Sequence, residues 1–236
     1  MTSKERVRAV MEHRKPDRVP AAFEAVGPVC HRLMKDYGFT DMEQIYEKFA
    51  VDTRYVSPAY IGPELPQWTN EAGNKVTRSF WGYEEEHHLV GEDDYPIVSR
   101  FPLQGMETVE QVDAYPWPKA EWFDYECMRR ECEKHADKAM VMGHEGPFQI
   151  VTFLMEMSEF FMLMMDAPEV AQRILDRINQ FELEYYERAF EACKGGIDIL
   201  RTHDDYGTQI SLLFGKETWR RFFRKNTESL TALSHR

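Results

Sequence analysis

The chain has 236 residues, 43% hydrophobic and 13% aromatic, enough to bury a sizeable core in one large domain or two small ones and too apolar for a disordered chain. Its 41 Asp and Glu outnumber 29 Lys and Arg, a formal net charge of -12, which argues against non-specific nucleic-acid or anionic-membrane binding. No apolar run reaches transmembrane length, and the N-terminus "MTSKERVRAVMEHRKPDR" reads as an amphipathic helix, not a signal peptide. Cys30, Cys127, Cys132 and Cys193 are scattered with no CxxC pair, so free thiols in a reducing cytoplasm are expected.

In chain order, Ser3 to His13 is predicted helical with Ser3 as N-cap, and Val19 to Phe23 is predicted as a first strand. Pro28 to Tyr37 and Asp41 to Phe49 read as two helices, parted by Gly38 and capped by Thr40. "VDTRYVSPAY" is the second strand, ending at Pro58. The Pro-, Gly- and charge-rich stretch 62–105 reads as a β-hairpin excursion from the main body. Glu107 to Tyr115 and Trp122 to Ala136 are helices, and "KAMVMG" is the third strand.

Two apolar helices follow within "EGPFQIVTFLMEMSEFFMLMMDAPEVA". A long helix then starts at Pro168, with Val170, Ile174, Ile178, Phe181, Tyr185, Ala189 and Ala192 as one buried stripe. Gly195 and Gly196 end it; "IDILRT" is the fourth strand, and Lys216 to His235 the last helix. Strands alternating with helices over short linkers imply a parallel sheet with helical crossovers. No dinucleotide glycine fingerprint or P-loop is present, which favours a (β/α) barrel over a nucleotide-binding doubly wound sheet. Such a barrel needs eight strands in roughly 250 residues, and four are found here. The expectation is a single barrel domain over 1–236, incomplete at its C-terminus.

Barrels carry chemistry at the C-terminal ends of their strands. All four strand ends carry polar groups: Glu24 after the first, Asp52 to Ser57 along the second, His144 and Glu145 after the third, and His203 to Gln209 after the fourth. Adjacent carboxylates at an apolar mouth suit acid–base work or cation binding, and Asp204 is the candidate catalytic carboxyl with His144 as candidate proton donor. Tyr206, Gln209, Glu145 and Glu24 are candidate substrate-binding groups. Alternation along "IDILRTH" turns Thr202 and Asp204 inward, with Leu200 deeper and Asp205 fixing the loop that follows. An Asp at a strand end also caps turns and helices, the alternative reading of this pair. His87 and His88 belong to a solvated hairpin face, and the Met-rich helices to core packing.

The segments "EHRKPDRVP", "EGPFQIVTFLME" and "THDDYGTQISLLFGKETWRRFF", in this order, resemble the uroporphyrinogen decarboxylase family. The resemblance implies a TIM (β/α)8-type barrel of which only the N-terminal part is present. That family contains haem-pathway decarboxylases and methyltransferases that take a methyl group from a corrinoid. Three departures weigh against decarboxylation. The first loop, "FEAVGPVCHR", lacks an arginine before Arg32; "VSPAYIG" offers no acid after the second strand; Phe153 stands where the decarboxylases have a tyrosine. The resemblance therefore implies corrinoid (cobalamin)-linked methyl transfer or demethylation, with a corrinoid as methyl donor and a small molecule or corrinoid protein as substrate. Decarboxylation of a tetrapyrrole and non-catalytic corrinoid or tetrapyrrole binding are the alternatives. The family's zinc motif has no match here, so no metal ligand is assigned; zinc would belong to sequence beyond Arg236. The oligomeric state stays open, a homo-oligomer included.

Overall fold

The structure, a computed structural model, describes residues 1–91 and 93–235. Helix α1 (Ser3–Met11) is capped by Thr2, not by Ser3. The Thr2 hydroxyl accepts from the Glu5 amide and the Glu5 carboxylate accepts from the Thr2 amide, satisfying two donors that a helix start leaves open.

The expected first strand at Val19–Phe23 does not form. The segment is tied to Asp52 instead. The Asp52 amide donates to the Ala21 carbonyl (2.7 Å), and the Ala21 amide donates to the Asp52 carboxylate (2.8 Å). That fully buried carboxylate also accepts from Arg6 (2.7 Å) and twice from Arg18 (2.7 and 2.8 Å), while Asp17 takes the other side of the Arg6 guanidinium (2.6 Å). Burial raises the pKa of Asp52, but these donors outweigh it and hold the group below the usual carboxylate value. "KPDRVP" is thus a polar clamp. It needs no apolar burial, which explains why Val19 is 83% exposed.

Helices α2 (Gly27–Tyr37) and α3 (Met42–Lys48) follow, the second capped by Asp41 in place of Thr40. The expected second strand divides around Pro58 into β1 (Thr53–Tyr55) and β2 (Ala59–Tyr60). The excursion is larger than a hairpin. Strands β3 (Gln67–Thr69), β4 (Lys75–Arg78), β5 (Glu84–Val90) and β6 (Asp93–Arg100) form an antiparallel sheet in that order. Its β4–β5 turn inserts two aromatic rings into the main core: Trp81 packs on Phe181 (4.9 Å between centroids) and Phe80 on Phe123 (5.2 Å).

After α4 (Val109–Ala114), strand β7 (Phe123–Asp124) pairs antiparallel with β2. Helix α5 (Glu126–Lys134) leads to β8 (Ala139–Met142), all four of whose residues are buried, as a central parallel strand requires. The apolar helices α6 (Pro147–Leu154) and α7 (Met157–Asp166) meet at a bend of 108°, and no single described helix is long and apolar enough to cross a membrane. Helix α8 (Pro168–Cys193) spans 26 residues, about 39 Å at 1.5 Å per residue, and buries the predicted stripe from Val170 to Ala189. Its C-cap is Lys194 in the left-handed conformation, just before the two glycines. Strand β9 (Ile199–Leu200) follows, and the expected last helix is two, α9 (Lys216–Phe222) and α10 (Arg224–Ser234).

Strands β1, β8 and β9 form one parallel sheet with β8 in the middle, Tyr55 opposite Val141 and Val141 opposite Ile199. The chain is therefore a mixed α/β protein with, among the described residues, three parallel strands where four were expected, the clamp standing in place of the first. All four cysteines are free; Cys132 of α5 and Cys193 of α8, far apart in sequence, are both buried in the same core.

Candidate functional site

Parallel strands end on the same side of their sheet, so the segments after β8 and β9 emerge together. They stay paired beyond the strands: Glu145 bridges to His203, and the Gly146 amide donates to the His203 carbonyl (2.7 Å). Two glycines make this approach fit. A Cβ on Gly143 would lie 1.6 Å from the Arg201 carbonyl oxygen, and one on Gly146 would lie 2.5 Å from the Asp204 carboxyl carbon.

Asp204 turns onto the start of α6. The helix has Gly146 at its N-cap and no side-chain cap of its own. Asp204 supplies the missing acceptor from the neighbouring strand, taking the Gln149 amide at 2.9 Å, while the Tyr206 hydroxyl donates to its other oxygen. Burial raises the Asp204 pKa; the Tyr206 hydroxyl and the Gln149 and Phe148 amides oppose it without cancelling it. Tyr206 is fixed in turn by Phe148, Phe214 and Phe223, with ring centroids 5.5 to 5.7 Å away.

Behind this pair stands Glu182 of α8, which was not singled out from the sequence. It is fully buried, and neither carboxyl oxygen has a hydrogen-bond partner among the described residues. Burial drives its pKa well above the usual value, and the charge of Asp204 adds to the shift, so Glu182 is held neutral. The signal was available. Glu182 lies four residues after Ile178 and four before Tyr186, within the buried face of α8.

His144 packs flat on Tyr186 (5.3 Å) and edge-on to Tyr185 (5.6 Å). Its Nδ1 lies 2.8 Å from the Glu145 carbonyl, which can only accept, so the proton is assigned to Nδ1 and Nε2 is a bare acceptor. Nε2 is buried with no partner among the described residues, and burial lowers the pKa of the ring, keeping it neutral.

Glu24 meets the same end of the sheet from the clamp side, paired with Arg201. Gln209 lies apart from both groups, exposed on a turn. That turn is held by the Thr208 hydroxyl, which accepts from the Ile210 and Ser211 amides (3.3 and 3.1 Å), not by Asp205, which is exposed. Thr202, expected to face inward, is exposed as well. Tyr83, from the excursion, joins the site side: it stacks near Phe153 (5.3 Å), and burial, with the charges of Glu85 and Glu145, pushes its pKa up to about 12. His87 and His88 sit on the excursion sheet, His87 bonded to Thr77 (3.0 Å) and Asp94 (2.8 Å). Among the described residues no three His, Cys, Asp or Glu side chains are placed to hold a metal ion.

The inner arrangement can hold and exchange a proton. Asp204 has an elevated pKa, a hydroxyl partner in Tyr206, and a neutral carboxylic acid behind it.

No protein-family model matches the chain, and no curated protein matches it in sequence. Its fold does match a solved structure, a methyltransferase from Methanosarcina mazei, with a TM-score of 0.57 and 16% sequence identity; the match covers 98% of this chain and 67% of that one.

Proposed function

We propose that the chain is an enzyme built on a (β/α)8-type barrel plan of the uroporphyrinogen decarboxylase kind, and that it works in corrinoid-linked methyl transfer. The observation that carries this reading is the fold likeness to a methyltransferase along 98% of the chain. The chemistry of the strand ends is compatible with it. Glu24, Glu145 and Asp204 gather there, and the cation beside them, Arg201, is already paired with Glu24. A polycarboxylate tetrapyrrole would require several free cations instead. A bound corrinoid supplies a methyl group open to nucleophilic displacement. The residues of this chain would hold the acceptor and manage its proton, with Asp204 as the exchanging carboxyl and Tyr206 as its partner. Zinc does not fit the described residues. The free cysteines suit a reducing cytoplasm.

The test is to incubate the protein with methylcobalamin and a panel of small thiols and follow the visible spectrum of the corrinoid. Demethylation above the protein-free rate is expected, with a marked loss in Asp204→Asn. That variant keeps an acceptor for the Gln149 amide, so its stability should stay within about 1 kcal/mol of wild type. No demethylation with any thiol, or conversion of uroporphyrinogen to coproporphyrinogen, would overturn the reading.

A further inference from the structure

We infer that the Arg201 guanidinium is a binding site for the carboxylate of a small molecule, and that Glu24 is the internal carboxylate which such a molecule displaces. The guanidinium holds Glu24 fork to fork, with Nη2 to Oε1 at 2.7 Å and Nη1 to Oε2 at 2.9 Å. This planar, two-bond geometry is the one Arg uses for carboxylate recognition. The structure thus already displays the ligand chemistry that the site accepts.

The two partners are held very differently. Arg201 directly follows β9, and its guanidinium lies over the ring of Tyr55, the last residue of β1, at 5.2 Å from the ring centre. Its Nη1 also donates to the Tyr55 hydroxyl at 3.2 Å. Two strands of the parallel sheet therefore aim this cation, leaving its side chain 37% exposed. Glu24 sits on backbone with no secondary structure, between the clamp and α2, and its side chain is 62% exposed. A pair this exposed contributes little net stability, so exchange of one carboxylate for another is inexpensive.

The surroundings narrow the ligand further. The charge of Glu145 also reaches Arg201. Once Glu24 swings away, Arg201 and Glu145 leave the spot close to neutral. The single guanidinium fork can pair one carboxylate, and the charge of Glu145 disfavours a polyanion. Under the methyl-transfer reading this is a handle for the substrate, but binding of a carboxylate stands apart from that reading.

Propionate, which is neither methyl donor nor acceptor, is the probe. Its titration is followed at fixed ionic strength by the backbone amide resonances of residues 24 and 201, which every variant retains. Saturable binding to wild type is expected, tightening about fivefold in Glu24→Gln, where the internal competitor no longer carries a charge. Arg201→Gln should lose saturable binding. If that variant does not fold, Arg201→Lys decides: it keeps the charge but lacks the fork, and should lose most of the affinity. Equal affinity in wild type and Glu24→Gln would overturn the proposal. So would saturable binding that survives Arg201→Gln, or wild-type affinity in Arg201→Lys. Failure of methyl transfer with propionate binding intact would sink the functional reading and leave this site standing.

Discussion

The parallel sheet β1–β8–β9 and the antiparallel sheet β3–β4–β5–β6 place their polar groups in opposite ways. In the first, the central strand is buried at every residue, the one buried charge within β1, Arg54, is paired with Glu43, and partly exposed polar side chains gather after the strands end, at Glu145, Arg201 and Asp204. In the second, charge runs along the strands themselves. Glu84 accepts from Arg78 and Arg100, and His87 bridges Thr77 and Asp94. A strand covered on both faces offers no water to a polar side chain, so chemistry is displaced to its mouth. A sheet with a wet face can pair its charges anywhere. The same acidic composition therefore means a site at the mouth of one sheet and ion pairing along the strands of the other.

The largest effect expected from breaking this arrangement is at the joint between the sheets. Trp81→Ala removes a 6% exposed ring packed on Phe181 and should cost about 3–5 kcal/mol in denaturant unfolding. A loss below about 1 kcal/mol would mean that the antiparallel sheet is not anchored by this turn. Next comes Gly146→Ala, whose Cβ would press on the Asp204 carboxyl and should cost about 1–3 kcal/mol. The amide resonance of Gln149 should shift as its acceptor is expelled; an unmoved resonance would show that the contact does not hold Asp204 in place.

Glu182→Gln acts on the slope of stability against pH. The folded-state pKa of Glu182 is raised, so folding takes up a proton above the ordinary carboxylate range. The wild type should be insensitive to this group below that range and lose stability as pH rises from it toward the folded pKa. The glutamine variant should lack that component of the slope, and parallel urea profiles for the two proteins would contradict the neutral-acid account. Smallest of all, His87→Ala on the wet sheet should stay within about 0.5 kcal/mol; a loss of several times that would erase the contrast between the sheets.

What was legible in the sequence follows the same division. The continuous apolar run of β8 and the spaced stripe of α8 are strong patterns because burial imposes them, and both were placed correctly. Val19–Phe23 looked equally apolar, yet its position is fixed by Arg6, Arg18 and Asp52, and charge pairing across 34 and 46 residues leaves no local period to read. The inner site was half legible. Asp204 and Tyr206 stood out as polar groups after a strand. Glu182 carried a signal in its four-residue spacing from Ile178 and Tyr186 on the buried face of α8, but a lone acid in a mostly apolar stripe is easily passed over. That Asp204 caps α6 from another strand was not readable, because no rule of spacing links residue 204 to residue 149.

The polar clamp at Asp52 has a consequence for how the molecule comes apart. Residues 1–21 are moored largely by carboxylates whose pKa values are depressed in the fold: Asp17 by the Arg6 guanidinium, and Asp52 by the Ala21 amide and two guanidinium groups, against the pull of burial. Such groups contribute above their unfolded pKa, and that contribution drains away as pH falls through the folded values. The aromatic core around Phe123, Phe181 and Tyr185 has no comparable sensitivity. Strong acid, below the ordinary carboxylate range, should therefore peel the N-terminal arm from an otherwise intact body. Amide hydrogen exchange would register it as lost protection at Asp52 while Val141 and Ile178 stay protected.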